Sequence, residues 1–342
     1  MVRGRISDGL LLLVGGAAAV VCLGGLRSVS SISGPFFLAL VLTVAATPLR
    51  VALIRRGAPG WASALLPLLA VLAGLGATAG ALAFSVARLA TVLPEYQDDF
   101  AELTRRASEF LTARGVGQAQ ATAALSGLDP SRLASLLQDF LTGLLGALSA
   151  GLLIVVLLYA MSIDAVGLHR ALNRLEGPRP RLVTALRRYS TDTYRYLLVS
   201  TVFGLIVAVL DTIALAVLDV PLPVLWGLLA FITNYIPNVG FVIGLVPPAL
   251  LALLDSGPET MAWVIAVYCV LNFVIQSLIQ PKFVGDAAGL SVTITMVSLA
   301  VWTFVLGPVG AILAVPLTLL ARTLLLDHDP EKAWVGPLLS AD

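Results

Sequence analysis

Asp211 is the one carboxylate placed well inside a long apolar run of this sequence, Tyr196–Leu218. A charged side chain at the centre of a membrane helix costs about 3 kcal/mol to insert, so an acid there is a functional candidate by default. Such a carboxylate would suit a carrier of protons or monovalent cations. The alternative is that Asp211, seven residues from the end of the run, is near enough to the outer surface to be hydrated.

Three side-chain amides follow one another along a second apolar run, Thr260–Pro281. Asn272, Gln276 and Gln280 are spaced i, i+4 and i+8, with Tyr268 one helical turn earlier. In a helix this spacing puts them on one face. Such a stripe can line a path for a polar solute, or it can hold helices together by hydrogen bonds inside the bilayer.

A third group of polar residues surrounds a break in a charge-free stretch, where Pro237 and Gly240 are predicted to stop a helix. Free backbone groups at such a break, with the side chains beside it, could coordinate an ion or a hydroxylated solute. The candidates here are Thr233, Asn234, Tyr235 and Asn238. Hydroxyls in a later stretch are weaker candidates, because Ser and Thr can bond to their own helix. These are Thr293, Thr295, Ser298 and Thr303.

Other chemistries find no support in the sequence. It lacks the GxxxxGK[ST] phosphate loop of ATP-driven machines. Neither His169 nor His328 has a metal-ligand partner at useful spacing, and no Ser/His/Asp arrangement suggests a hydrolase. The net charge of +1 gives no general affinity for nucleic acid. We therefore predict transport rather than catalysis, with no catalytic residue, metal site, cofactor or nucleic-acid partner.

The elements that carry these residues are predicted to cross a membrane. Only 12% of the residues are charged and 58% are apolar, whereas a soluble domain is about one-quarter charged. A spanning helix needs about 20 mainly apolar residues. The runs that meet this requirement are Gly9–Leu26, Ser28–Leu49, Gly57–Ala87, Phe140–Ile163, Tyr196–Leu218 and Thr260–Pro281.

Basic residues concentrate on one side of these runs, which predicts a cytoplasmic amino terminus. Three arginines between Arg50 and Arg56 follow the second run, and seven between Arg170 and Arg195 follow the fourth. All of these lie on the same predicted side as Arg3 and Arg5 at the start of the chain.

The segment from Arg88 to Asp139 carries five basic and seven acidic residues, so it is predicted to be exported. Its apolar residues from Leu93 to Phe110 have helical spacing, with Pro94 at the start, which indicates an amphipathic helix. That helix could pack on its neighbour Leu133–Leu145, lie on the bilayer surface, or contact another subunit.

Two stretches, Val220–Leu254 and Ala287–Ala321, each run for 35 residues without a charge. A straight helix of that length would measure about 52 Å, too long for one span. We predict two re-entrant helical hairpins of opposite orientation, an inverted repeat whose binding site would lie between broken helices at mid-membrane. The predicted tips are Pro237, Gly240, Gly307, Pro308 and Gly310. The alternative is two long spans kinked by proline.

Four motifs follow in order along this part of the chain. They are Ile236–Pro247 (IPNVGFVIGLVP), Asn272–Gln276 (NFVIQ) leading to Gln280–Gly285 (QPKFVG), Leu290-Ser291, and Leu306–Gly310 (LGPVG) running to Val315–Leu317 (VPL). In order and spacing they resemble the autoinducer-2 exporter family of bacterial multi-span proteins, over roughly residues 190–325. Asn238 and Phe241 depart from the family, which often has an aromatic residue and proline there.

The resemblance implies a homo-oligomeric transporter that moves small solutes outward. Members have been linked to export of the quorum-sensing signal and to sodium/proton antiport. Our leading hypothesis is a secondary-active transporter that exports a small polar solute, such as a signalling molecule, by alternating access around the two hairpins. The alternatives are a cation/proton antiporter that uses Asp211 and a non-transporting membrane scaffold that acts through the exported segment. Transport would be coupled to a proton or sodium gradient.

The expected fold is an all-α membrane protein of about eight membrane segments, including the two hairpins, plus the small exported helical segment. It would lie in the bacterial inner membrane, with both termini cytoplasmic. The predicted divisions are three spanning helices in 1–87, the exported segment 88–139, a fourth span with a basic cytoplasmic linker in 140–195, a transport core in 196–326 whose repeats are 196–254 and 260–322, and a cytoplasmic tail in 327–342.

Overall fold

The computed structural model describes residues 8–117, 120, 130–237, 239–280 and 290–327. All regular structure in these ranges is helical. The α-helices are α1 (Asp8–Ser28), α2 (Ser30–Arg55), α3 (Gly60–Val92), α4 (Gln97–Ala113), α5 (Pro130–Leu175), α6 (Pro180–Val217), α7 (Pro223–Thr233), α8 (Val239–Ser256), α9 (Pro258–Asn272), α10 (Val292–Leu306) and α11 (Pro308–Arg322). A 3-10 turn, Leu93–Tyr96, precedes α4, and the π-helical segments Phe273–Ile279 and Thr323–Asp327 extend α9 and α11.

Six helices within the described ranges are long and apolar enough to cross a membrane. They are Ser30–Arg55, Gly60–Tyr96, Pro180–Val217, Val239–Ser256, Pro258–Ile279 and Pro308–Asp327. Shorter apolar helices cover Leu13–Ser28, Gly151–Ala165, Pro223–Thr233 and Val292–Leu306. The prediction of an all-α membrane protein is confirmed, while the total of eight segments and the re-entry of two of them stay predictions.

The predicted basic linker ahead of residue 196 is largely helical instead. Helix α6 begins at Pro180, a residue that fits a first helical turn because its missing N–H has no partner there. The polar first part of α6 buries Val183 and Tyr189. Arg187 donates to the carboxylate of Glu176 at 2.8 Å across the turn that joins α5 to α6. A high density of arginine therefore marks the exposed face of a helix here, rather than a loop.

The described chain divides into two compact units. The first unit comprises the described parts of Met1–Gly60, Leu153–Tyr194 and Ala288–Asp342, and the second comprises those of Trp61–Leu152 and Arg195–Ala287. Helices α7 and α8 of the first charge-free stretch belong to the second unit. Helices α10 and α11 of the other charge-free stretch belong to the first unit. The first predicted repeat, 196–254, thus lies in the second unit, whereas the second, 260–322, has parts in both units.

Both charge-free stretches break where proline and glycine predicted a break, and glycine permits close packing beside each break. Helix α7 ends at Thr233 and α8 begins at Val239. A Cβ atom added to Gly240 would lie 1.8 Å from the backbone oxygen of Thr233. In the other pair, a Cβ atom on Gly310 would lie 1.9 Å from the backbone oxygen of Trp302. Only a residue without a side chain can occupy these two positions in these backbones.

The second unit has an apolar core built from α6, α7, α8 and α9. Its buried residues include Leu215, Trp226 and Val264. Tyr96, the last residue of the 3-10 turn before α4, packs against this core. The Tyr96 hydroxyl donates to a carboxylate oxygen of Asp255 at 2.6 Å. The start of the predicted exported segment is therefore anchored to the end of α8.

Helix α4 keeps a charged face towards water. Glu102 accepts hydrogen bonds from Arg105 at 2.8 Å and from Arg106 at 2.7 Å. These bonds lower the pKa of Glu102 to about 2, so it stays ionised at physiological pH. On the same helix Phe110 is exposed beneath the guanidinium of Arg114. The predictions of a bilayer contact and of a subunit contact therefore both remain open.

We predict that Gly240→Ala destabilises the protein by about 3 kcal/mol, because the new methyl group meets a backbone oxygen that a rotamer change cannot move. Thermal unfolding of the purified protein in detergent measures this. Gly76→Ala is the matched control, since a Cβ atom there meets nothing within 4 Å. Equal unfolding midpoints for the two variants would show that α7 and α8 do not pack as closely as described.

Candidate functional site

A small buried cavity in the second unit gathers polar side chains from α6, α7, α9 and the π-helical segment. Its polar lining residues are Asp211, Thr233, Asn234, Tyr268, Asn272 and Gln276. The remaining wall is apolar or glycine and includes Val207, Phe241 and Gly244. The cavity volume is about 10 Å³, enough for about one water molecule.

Asp211 is the charged group of this cavity. Its side chain is 0% exposed, although the sequence left open that it is hydrated near the outer surface. Val207 and Leu215, one turn to either side on α6, are buried with it. Neither carboxylate oxygen of Asp211 has a hydrogen-bond partner within the described residues. A buried carboxylate needs a proton, a cation or a donor to offset its lost hydration.

A chain of amide hydrogen bonds connects the other polar residues of the cavity. The Asn234 amide donates to the backbone oxygen of Ser200 on α6 at 2.9 Å. The Gln276 amide donates to the side-chain oxygens of Asn234 at 3.1 Å and Asn272 at 2.8 Å. Asn272 donates in turn to the backbone oxygen of Tyr268 at 2.9 Å. These amides therefore connect α6, the end of α7 and α9, and they also line the cavity. The same side chains hold helices together and offer polar contacts to a solute, which are the two interpretations of the stripe given above.

In the predicted stripe, Asn272 before the π-helical segment and Gln276 inside it line the cavity, whereas Gln280 after it does not. Regular α-helical spacing relates Tyr268 to Asn272, and the wider turn begins at Phe273. Gln276 lies within this wider turn and faces Asn234. Gln280 follows it and is not among the residues that line the cavity. Single π-helical turns occur frequently at functional sites, because they re-aim side chains at a small cost.

In the first tip, residues 234–237, Tyr235 is bonded to α6, whereas Asn234 lines the cavity. The Tyr196 hydroxyl donates to the backbone oxygen of Tyr235 at 2.9 Å. The hydroxyl groups of Tyr235 and Thr201 lie 2.7 Å apart. Tyr235, a predicted site residue, thus contacts α6 and does not line the cavity. Pro237 lies in the turn, and Asn238 lies outside the described residues.

The second predicted tip belongs to the other unit. Gly307 has a φ of +66°, which glycine adopts without strain, and Pro308 opens α11. Neither of these residues nor Gly310 lines the cavity. The hydroxyls of this helix pair bond within it, since Ser298 donates to the backbone oxygen of Ala314 at 2.9 Å and Thr295 to that of Ser291 at 3.0 Å. Ser298 and Thr295 are weaker site candidates because their hydroxyls already donate hydrogen bonds within this helix pair.

Tyr268 is a polar cavity residue that the sequence showed beside the amide stripe but did not mark as a site candidate. It is 1% exposed, and its hydroxyl shares the cavity with Asp211. The signal was present in its position one turn before Asn272. The described residues contain no group of three or more His, Cys, Asp or Glu side chains that could hold a metal ion.

Comparison with known proteins identifies the family to which this chain belongs. A family model described as "AI-2E family transporter" matches residues 10–327. The chain belongs to the AI-2E transporter family. It is therefore a multi-pass membrane protein of a bacterial transporter family. The match extends well beyond the carboxy-terminal motifs and also covers the predicted exported segment, residues 88–139.

Two relatives of this AI-2E family member match over most of their length, and a third matches over about one-third. The chain is 28% identical to the AI-2 transport protein TqsA of Escherichia coli strain K12 over 333 residues, 97% of this chain and 96% of that protein. It is 29% identical to the YhhT protein of the same strain over 311 residues, 91% and 88% of the two chains. YrrI of Bacillus subtilis strain 168 is 33% identical over 122 residues, 36% of this chain and 34% of its own length.

We predict that Asn234→Ala destabilises this AI-2E transporter by about 1–3 kcal/mol, because it leaves the half-buried Gln276 amide without one of its acceptors. Thermal or denaturant unfolding in detergent measures the change. Asn173→Ala is the matched control. Asn173 is exposed and accepts one bond from Arg187, so its loss should stay within about 0.5 kcal/mol. Similar losses for both variants would contradict a structural role for the amide chain.

Proposed function

We propose that this protein is a secondary-active transporter that exports a small polar solute, such as a signalling molecule. The observation that supports this most is the cavity itself, a buried acid and a chain of amides beside the break between α7 and α8. Polar groups inside a membrane protein are costly, and they mark substrate and ion pathways. Relatives named as transport proteins add to this support.

Alternating access would open this cavity to one side of the membrane at a time. With room for about one water molecule, the cavity would have to widen to admit a solute of several heavy atoms. We propose that the first tip moves for this purpose. Its hydroxyl bonds from Tyr196 and Thr201 would break and re-form during each cycle.

We propose that a proton or sodium gradient drives transport, with Asp211 as the coupling group. A carboxylate that alternates between a closed cavity and water can bind a cation on one side and release it on the other. Thr233, Asn234, Asn272 and Gln276 would supply polar contacts to the solute or ion. Tyr235, Asn238 and Gln280 would act, if at all, only after the tip or the π-helical segment has moved.

Cation/proton antiport is the second candidate function. Two observations favour it, namely the absence of any described hydrogen-bond partner for Asp211 and the water-sized cavity. A small monovalent cation fits this space without rearrangement, whereas a solute with several hydroxyl groups does not. Both functions would use the same carboxylate, so the transported species is what distinguishes them.

A membrane scaffold that acts through the predicted exported segment, residues 88–139, is a third candidate function from a different class. Relatives named as transport proteins favour transport over this role. Deleting Gln97–Ala113 separates the two candidates. A transporter keeps part of its flux in vesicles, because the cavity lies in helices outside that segment. Complete loss of flux from a correctly folded deletion variant would count against the cavity as the working site.

We further propose that the protein works as a homo-oligomer in the bacterial inner membrane, with both termini in the cytoplasm. The concentration of arginines between Arg170 and Arg195 supports this orientation. The surrounding lipid would cover the large apolar side chains that α3 and α6 expose, such as Phe84 and Leu205. Cross-linking in native membranes tests the oligomer, and labelling of added terminal cysteines from either side tests the orientation.

We predict that Asp211→Asn reduces gradient-driven transport in reconstituted vesicles at least about tenfold, because an amide cannot exchange a proton or balance a cation. Flux is measured with a pH-sensitive dye and with labelled sodium or solute. Asp219→Asn is the matched control, since Asp219 is exposed and Asn tolerates its φ of +54°. Unchanged coupling in Asp211→Asn would exclude this carboxylate as the coupling group.

To identify the transported species, purified protein is screened for thermal stabilisation by sodium chloride, lithium chloride, pH steps and small polyols. A ligand that binds only the folded state raises the unfolding midpoint in proportion to its saturation of the site. Stabilisation by polyols with no effect of cations supports the solute exporter. Stabilisation by sodium or lithium alone supports the antiporter. Counterflow in vesicles then checks that the stabilising species is transported.

A further inference from the structure

Buried polar atoms that lack a partner are concentrated at one place in this molecule. Five side-chain atoms in the described ranges are buried without a hydrogen-bond partner, and three of them line one cavity. These three are the two carboxylate oxygens of Asp211 and the hydroxyl of Tyr268. A buried tyrosine hydroxyl usually finds a partner. Two unsatisfied groups that face one cavity from different helices indicate that something else satisfies both of them.

The remaining two atoms form a different arrangement. The hydroxyls of Tyr189 and Thr193 belong to the other unit and lie one turn apart on α6. The ordinary α-helical spacing lets these two hydroxyls approach each other. No carboxylate is paired with them among the residues described. The Asp211–Tyr268 pair therefore stands apart, because it combines a formal negative charge with a hydroxyl and an adjoining space.

The polar residues around that space offer two further oxygens. Thr233 gives its hydroxyl hydrogen to the backbone oxygen of Ala230 at 3.3 Å, so the lone pairs of its hydroxyl remain available. The side-chain oxygen of Asn272 accepts one bond from Gln276 and has a second lone pair. Oxygen ligands with a single negative charge suit a hard monovalent cation. A divalent ion would leave one positive charge without a partner in a buried site.

We infer that Tyr268 is a specificity-determining residue for cation coupling, its hydroxyl serving as a direct ligand, opposite Asp211, to one dehydrated sodium or lithium ion. The inference rests on the proposed function, in which Asp211 couples transport to a cation. When the ion binds, the Tyr268 hydroxyl would present an oxygen lone pair to it. The residue therefore affects how tightly the ion binds more than how fast the transporter moves.

The test compares Tyr268→Phe with wild type in vesicles and in detergent. Removal of one ligand oxygen should raise the sodium concentration for half-maximal flux about tenfold, equivalent to about 1.4 kcal/mol. The maximal rate should stay within about twofold. In detergent, stabilisation by sodium chloride, measured against choline chloride, should require about ten times more salt. Tyr159→Phe is the matched control, because Tyr159 is exposed.

A double variant keeps the test informative if Tyr268→Phe is less stable. In the Asp211→Asn background, Tyr268→Phe should cause no further change in the response to sodium, since the two groups act on one ion. An additional loss in that background would overturn the inference. So would an unchanged half-maximal concentration in Tyr268→Phe, or a wild type that responds to neither sodium nor lithium.

The outcome for Asp211 separates the two levels of the proposal. If Asp211→Asn abolishes coupling while Tyr268→Phe behaves as wild type, the role of Tyr268 is excluded and the coupling role of Asp211 stands. If Asp211→Asn retains coupling, both are excluded.

Discussion

A polar group inside the hydrocarbon region of a bilayer finds no water, so it must be satisfied within the protein. In the second unit this constraint accounts for the contacts around the break between α7 and α8. The Asn234 amide bonds to α6, Gln276 bonds to Asn234 and Asn272, and Tyr196 bonds to the backbone oxygen of Tyr235. Without these partners, the interrupted helix would expose backbone and amide groups to lipid.

Close packing is what brings those partners within reach. A side chain at Gly204 would meet the Asn234 amide, with a Cβ atom only 2.8 Å from its nitrogen. Gly227 lets α7 approach α6 in the same way, since a Cβ atom there would lie 1.9 Å from the hydroxyl of Thr212. Small residues at helix contacts are a general feature of membrane proteins, where association depends on packing rather than on the exclusion of water. The polar cavity exists because these glycines let the backbones approach one another.

Against this background of satisfied groups, the Asp211 carboxylate and the Tyr268 hydroxyl are exceptions, and they share one cavity. A transporter needs such an imbalance, because a site that is fully satisfied when empty gains little by binding anything. The surrounding amides are bonded in a way that fixes their positions but leaves oxygen lone pairs free. The geometry thus combines amides held by hydrogen bonds with a carboxylate and a hydroxyl that have no partner among the described residues, and the proposed coupling site rests on this combination.

The pattern of neighbouring residues in the sequence was enough to predict part of this structure. Apolar run length predicted helices that cross a membrane, proline and glycine predicted the breaks at Pro237 and Gly307, and i, i+4 spacing placed Asn272 and Gln276 on one face. Four features emerged only in three dimensions. They are the complete burial of Asp211, the contact of Tyr235 with α6, the absence of Gln280 from the cavity lining, and the presence of Asp211 and Tyr268 in one cavity. Periodicity and chain-breaking residues act through neighbouring residues, so the sequence carries them directly. Which polar atoms meet depends on how helices distant in sequence rotate and pack, and only the tertiary structure decides that.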